Sequence, residues 1–356
     1  MRKGEVAASL TKSAESAATD LVFATPSTQS EWDTPVIAGG GELLQSWAWG
    51  DFKSRTGWET SRLLCLRKGQ PIAAAQWLLR RVPLLGALAY MPRGPVTAPN
   101  ESAVAEAVLR HVAEEARRAG AFALWVEPPW GENCSPGLPT AFVTTPDYIQ
   151  PPATGLVDLR PTEDTILAGF QSSMRRNIRL AFRRGLEVRV GRTEADWQDF
   201  YALLSETAER DGFGIHTWPY FATMRDTLEA GGIATLFLAE HAGKPLGSLL
   251  LTAYGGTATY LFGASATAGR DLRIGHGLQW HAMCWAKEHG CHTYDLWGMP
   301  ATANPDDPMA GVYRFKRGFS PRIVNYAPTV VAALDARRFW VWNKLAPLAR
   351  KYVPGF

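Results

Sequence analysis

Cysteine is scarce in this 356-residue sequence and carries no pattern: Cys65, Cys134, Cys284 and Cys291 form no CxxC pair and no framework spacing. That excludes a disulfide scaffold and suits a reducing cytoplasm, the expected location. Long apolar runs are missing as well; none approaches the ~20 residues that a membrane-spanning helix needs. The first 30 residues are rich in Ala, Ser, Thr and Glu and lack a continuous apolar core, so no secretory leader is read there. A disordered tail over 1–27 is expected instead. The net charge of +3 is too small to indicate nucleic acid by itself. Neither a G-x-S-x-G elbow nor a Walker loop occurs. His276, His281, Cys284, His289, Cys291 and His292 crowd one region. Most fall on one predicted helix and point different ways, whereas zinc needs its ligands to converge. No metal and no cofactor is expected.

What is present is a soluble, globular composition, 46% hydrophobic and 20% charged, in a chain long enough for about two domains. Charge is concentrated where the total hides it. Between Gln171 and Arg192 stand seven arginines and one acid, Glu187, a candidate polyanion surface or a solvated helix face.

One unit is written twice. Strand-like RLLCLRK, IAAAQWLLR and LGALAYM precede a helix over about 101–119, then Gly120 and a closing strand FALWVEP. TLFLAEH, PLGSLLLTAY and TATYLFGAS precede a helix over about 276–289, then Gly290 and TYDLWGM. Both copies place Gly-x-Pro between the first two strands, stop the helix at glycine, and carry Leu-Trp in the closing strand (124–125 and 296–297). Three antiparallel strands, a helix and a strand make the core order of a GNAT acyltransferase half. The fold class is therefore α/β (α+β): two tandem GNAT-like domains, each a mixed, mainly antiparallel sheet flanked by helices.

Ahead of the second copy a long helix is predicted over roughly 162–184. Thr162 caps it, Ile166, Phe170, Met174, Ile178 and Phe182 form an apolar stripe, and Arg175, Arg179 and Arg183 form a basic one. Gly275-His276-Gly277 opens the 276–289 helix and reads either as a phosphate-binding turn or as a plain one. Leu272 stands where GNAT enzymes place Gln or Arg, which weakens the case for acyl-CoA. The basic, aromatic segment ALDARRFWVWNKLAPLARKYV reads as a helix packed on the first domain or as a membrane-surface contact.

The stretches QSWAWGDFKSRTGW (45–58), YMPRGPV (90–96), RRNIRLAFRRGLEVRV (175–190), FYALLSETAERDGFGIHTWPYF (200–221), YLFGAS (260–265), GLQWHAMCWAKEHGCHTYDLWGM (277–299) and GVYRFKRGF (311–319) occur in this order. In order and spacing the chain resembles the Fem aminoacyltransferases over about 28–330. With no room for a coiled-coil arm near 185–235, it resembles the armless, FemX-like members. The resemblance implies domains of 28–154 plus 320–356 and of 155–319, and a monomer. It implies transfer of Gly, Ala or Ser from aminoacyl-tRNA to the third stem-peptide residue of a peptidoglycan precursor, either UDP-MurNAc-pentapeptide or lipid II, at or near the inner membrane face. By the same resemblance, Lys316 and Phe315 are the catalytic pair. Lys53, Arg93, His216, Tyr220 and Tyr260 contact the precursor, and Arg175, Arg176, Arg179 and Arg183 hold tRNA. His216 stands where the family often has Arg, and Ala98 where it often has an acid. The alternative is a GNAT-like, acyl-CoA-dependent N-acyltransferase.

Overall fold

The computed structural model describes residues 20–98, 101–131, 138–300, 302–304, 306 and 309–349. Most of the expected N-terminal tail, Cys134 and the last residues of the chain lie outside them. The described residues fall into two units, one running to Tyr148 and taking in Tyr326–Pro347, the other Ile149–Asn325. The resemblance implied borders at 154/155 and 319/320. The observed ones differ by a few residues because Ala153–Asp158 and Arg322–Asn325 pair with each other in one sheet.

The first unit opens with β1 (Leu21–Ala24), inside the segment expected to be disordered. Its LVFA run pairs antiparallel along the edge of the sheet, Leu21 opposite Arg67. Then follow α1 (Gln29–Ala38), α2 (Trp47–Ser54), β2 (Glu59–Arg67), β3 (Gln70–Val82), β4 (Gly86–Pro92), β5 (Val96–Thr97), α3 (Ser102–Arg118), β6 (Ala121–Glu127) and β7 (Phe142–Thr144). Helix α3 turns Val104, Val108, Leu109, Val112 and Ala116 inward at helical spacing, onto Leu63, Trp77, Leu79, Met91 and Leu124 of the sheet.

The second unit holds β8 (Ala153–Asp158), α4 (Glu163–Gly169), α5 (Ser172–Arg183), β9 (Glu187–Gly191), α6 (Glu194–Asp211), α7 (Trp218–Met224), β10 (Ala234–His241), β11 (Lys244–Tyr254), β12 (Thr257–Ser265), α8 (Ile274–Glu288), β13 (Thr293–Asp295), α9 (Ala310–Arg317) and β14 (Arg322–Asn325). The single helix expected over 162–184 is two. Phe170 and Gln171 are extended, with ψ of 158° and 148°. Gln171 N–H leaves the helical pattern to donate to the Gly318 carbonyl at 3.0 Å, and the Phe170 ring seats against Trp280 and Phe319. The apolar stripe holds as far as Ile178, while Phe182 is exposed.

The chain returns to the first unit with β15 (Val330–Ala333) and α10 (Ala336–Ala349). The first sheet runs β1-β2-β3-β4-β6-β15-β7 with β5 beside β3; the second runs β9-β10-β11-β12-β13-β8-β14. In both, the fourth and fifth strands are parallel, β4 with β6 and β12 with β13, and a helix forms the crossover between them. The duplication is therefore real at the level of topology. The sixth position is filled reciprocally. Strand β8 follows β7 in the chain but pairs in the second sheet, and β15 follows β14 but pairs in the first. Helix α3 ends at Gly120 (φ +83°) and α8 at Gly290 (φ +82°), the left-handed positions that the sequence marks with glycine.

Candidate active site

The two copies differ at their parallel strand pair. In the first unit β4 and β6 stay paired over six positions, Ala87–Ala121 through Pro92–Glu127. In the second, β12 and β13 pair only at Thr257–Thr293, Ala258–Tyr294 and Thr259–Asp295, and then part. Two local features open them. The β11–β12 register slips by one residue between Leu250 and Leu251, and Trp297, two residues past β13, is left-handed (φ +58°). The closing strand TYDLWGM therefore ends at Asp295, shorter than expected, with Leu296–Trp297 outside it.

Lys316, near the end of α9, occupies the opening and is 6% exposed. Its Nζ donates to the carbonyls of Gly298 (2.8 Å) and Trp297 (3.2 Å) and lies 5.4 Å from the Tyr260 ring centre. Burial drives its pKa down to about 8, against the opposing pull of Asp295. An ammonium has three N–H donors. With two given to carbonyls, one remains for a substrate oxygen. Tyr260 is the first β12 residue past the parting. Burial pushes its hydroxyl up to about 12, opposed by a bond from Gln279, which also accepts from Tyr294 O–H at 2.8 Å. A Cβ at residue 263 would lie 2.0 Å from the Tyr260 hydroxyl, so Gly263 gives that ring its place.

Phe315 faces the other way, edge-on to the His276 imidazole (centroids 5.2 Å apart) and to Phe319 (5.4 Å). Burial, with the Arg273 charge second, holds the pKa of His276 at about 4, so this imidazole is neutral at ordinary pH. Its Nε2 lies 3.2 Å from the Asn177 side-chain amide. Gly277 serves packing, since a Cβ there would press on Leu186 (2.5 Å) and Ala181 (3.0 Å). Of the two readings of Gly275-His276-Gly277, close helix contact accounts for the second glycine. His216 stacks on Tyr220 at 3.8 Å and 17°, and Phe221 links the pair to Phe262 of β12 at 5.2 Å.

The arginines divide. The Arg175 guanidinium turns back to cap α4, donating to the carbonyls of Ala168 (3.0 Å) and Phe170. Arg176, Arg179 and Arg183 are exposed and line a groove of about 570 Å³ floored by Leu167, Ile178, Phe182 and Trp280. The basic stripe expected at 175, 179 and 183 is thus carried at 176, 179 and 183.

In the first unit, the Lys53 Nζ lies among three rings, Trp58 at 5.6 Å, Phe52 at 5.7 Å and Trp49 at 5.9 Å. Burial, with repulsion from Arg80 second, lowers its pKa to about 8. Arg93 is buried: its guanidinium stacks 3.5 Å from the Tyr326 ring centre, and its Nε is 3.6 Å from Glu42, which also accepts from Tyr326 O–H. That network ties the returning chain to the first unit and buries Arg93. The His/Cys cluster disperses. His281 packs on Phe237, His289 stacks on Trp285, and His292 lies beside Gly256.

Sequence reasoning overlooked Asp295. It is 4% exposed and accepts from the Thr154 hydroxyl and from Trp297 N–H (2.7 Å). The signal was an acid at the end of an apolar closing strand, where charge is costly to bury.

Residues 168–317 match the acetyltransferase (GNAT) domain model, and residues 28–136 match the FemAB family model. A lipid II:glycine glycyltransferase of Staphylococcus epidermidis is 28% identical, over 78% of this chain and 84% of the relative. The crystal structure of FemX superposes with a TM-score of 0.81 at 24% identity, covering 90% of this chain and 99% of that one. A tandem GNAT protein from the clavulanic acid pathway superposes at 0.54 and 15% identity, covering 88% and 98%. At such identities the two structures speak for the fold, which is that of paired GNAT-like units. On the two domain matches, and on a relative aligned over most of its length, the chain carries a FemAB family domain over residues 28–136 and a GNAT domain over 168–317, and is similar to the Fem bridge aminoacyltransferases.

Proposed function

We propose that this chain forms a peptide bond in peptidoglycan bridge synthesis, transferring an amino acid from aminoacyl-tRNA to the side-chain amine of the third stem-peptide residue of a precursor. The observation that carries the reading is the buried Lys316 ammonium in the parted β12–β13 opening, with a donor to spare. The amine nitrogen attacks the ester carbonyl; the C–N bond forms and the bond from carbonyl carbon to ribose oxygen breaks. The amine proton ends on the departing ribose hydroxyl. Negative charge builds first on the carbonyl oxygen, then on the ribose oxygen, and a fixed ammonium in a dry site stabilises both. The ester is already activated, so positioning supplies much of the rest.

Further contacts follow from the family resemblance and are proposed with it. Lys53, His216, Tyr220 and Tyr260 touch the precursor. Arg176, Arg179 and Arg183 hold tRNA phosphates. Glycine is the first donor to test and lipid II the first acceptor, since the S. epidermidis relative is named a lipid II:glycine glycyltransferase. A lipid-linked acceptor would be met at a bilayer. On α10, Phe339 and Trp342 pack on Trp125 and Phe122 of β6, whereas Trp340 and Leu345 are exposed beside Arg337 and Lys344. That outer face suits an anionic surface.

The test is incubation with a mixture of charged tRNAs and either lipid II or a UDP-linked muropeptide, read by mass spectrometry. One added residue on the acceptor supports the reading. The acyl-CoA alternative keeps the support of the GNAT match over 168–317. Tight CoA binding by calorimetry, with no product from charged tRNA, would replace the proposal with it.

A further inference from the structure

Asp295 has no part in the proposed substrate contacts, yet it bonds to the backbone that holds Lys316. It is the last residue of β13, anchored opposite Leu156 of β8 and Thr259 of β12. Its Oδ1 accepts from the Thr154 hydroxyl and, across two residues, from the Trp297 amide at 2.7 Å. That second bond closes a tight loop in which Trp297 sits at φ +58°, a region that bulky side chains avoid at a cost of roughly 1 kcal/mol or more. The same loop points the Trp297 and Gly298 carbonyls at Nζ of Lys316. Its far side is fixed by Leu296 N–H to the Gly155 carbonyl and Met299 N–H to the Ala153 carbonyl, both 2.9 Å. Gly298 lies so close to Pro151 that a Cβ would approach it to 2.4 Å.

From this geometry we propose that Asp295 is the positioning residue of the site: its carboxylate fixes the left-handed turn whose carbonyls aim Lys316, and its charge balances the buried ammonium. Two independent features support one role. The Thr154 and Trp297 donors orient the carboxylate, and the loop it closes is the one that receives Nζ. The groups facing Lys316 are Asp295, which favours its charged form, and the Tyr260 ring; the buried Tyr294 hydroxyl lies near Tyr260 and Asp295. This proposal rests on the transfer reading for its kinetic readout, so the test includes one that does not.

D295N retains an acceptor for Trp297 N–H and removes the charge. Lys316 should then lose its proton at lower pH, by about one unit, the scale of a single neighbouring charge. Competitive acetylation of lysines with acetic anhydride across pH, read at Lys316 by mass spectrometry, measures this without substrates. The alkaline limb of kcat should move by the same amount, with KM little changed. An unshifted Lys316 titration in folded D295N overturns the proposal. If D295N does not fold, D295E keeps the charge and displaces the acceptor. Its Lys316 titration should stay at the wild-type position while kcat falls at least tenfold, and wild-type kcat in D295E would overturn the positioning role. Failure of transfer activity in the wild type strikes the transferase reading alone, since the labelling result stands apart from it.

Discussion

At the scale of single residues, the two buried lysines make separable predictions. Burial lowers both Lys316 and Lys53 to about 8, and in both the protonated form is the useful one. A group whose pKa is depressed by burial is a cation below that pH and neutral above it. Activity should therefore fall as pH rises through about 8, not as it falls below it. The proposed roles divide the effect. Lys316 is proposed to stabilise charge that exists only in the transition state, so its loss appears in kcat; Lys53 is proposed to touch the precursor, so its loss appears in KM. Initial rates from pH 6.5 to 9.5 at varied precursor concentration distinguish the two. K316M should lower kcat on the order of 100- to 1,000-fold, as removal of one donor to a developing oxyanion does elsewhere, with an unchanged melting curve or a higher one. Full activity in K316M removes Lys316 from the chemistry. Lys316 stands out as a candidate in the sequence because it lies in a motif that resembles a family's. Its support does not, because Thr154 lies far from Asp295 and Trp297 in the chain and meets them only in the folded sheet.

Elements show where reading a sequence by periodicity stops working. The stripe Ile166, Phe170, Met174, Ile178 keeps helical spacing through a break, because both helices bury the same side. Periodicity records which side is buried and not whether the backbone between is continuous. The break decides the fate of the arginines: Arg175 becomes a cap for α4, and Arg176, Arg179 and Arg183 stay in the groove. Replacing those three with glutamine should weaken tRNA binding at low salt and lower the log–log salt slope by about 1 for each phosphate no longer neutralised. Filter binding between 50 and 300 mM salt reads this, and an unchanged slope would free the groove of that task. The same logic applies to α10, whose inward aromatics satisfy the packing reading and whose outward Trp340 remains. Vesicles containing anionic lipid should sediment the wild type more than W340A, and neutral vesicles should not separate them. Equal sedimentation on both would leave Trp340 without a membrane role.

For the whole molecule, the sequence repeat is legible and the exchange of strands is not. Gly-x-Pro turns, glycine helix stops and Leu-Trp mark the copies, since each reflects a local backbone demand. Nothing local marks which sheet β8 or β15 joins. That choice is made by short pairings such as Asp158–Thr293 and Val330–Val126, which link segments distant in sequence. The exchange has a consequence for stability. A fragment ending at Tyr148 contains β1 to β7 but lacks β15, so β6 would present Val126, Trp125, Leu124 and Ala123 without their antiparallel partners, and β7 would have no strand beside it. Unpaired edges of this kind are templates for aggregation. Expressed alone, residues 20–148 should be insoluble or molten, with poor dispersion of amide signals by NMR. Fusing residues 326–349 to its C-terminus through a flexible linker should restore a cooperative unfolding transition, because it supplies β15 together with Phe339 and Trp342 of α10. A fragment that folds cooperatively without that segment would show that the exchanged strand is dispensable. In that case β15 would have no part in stabilising the first unit, and its pairing with β6 and β7 would follow from folding without driving it.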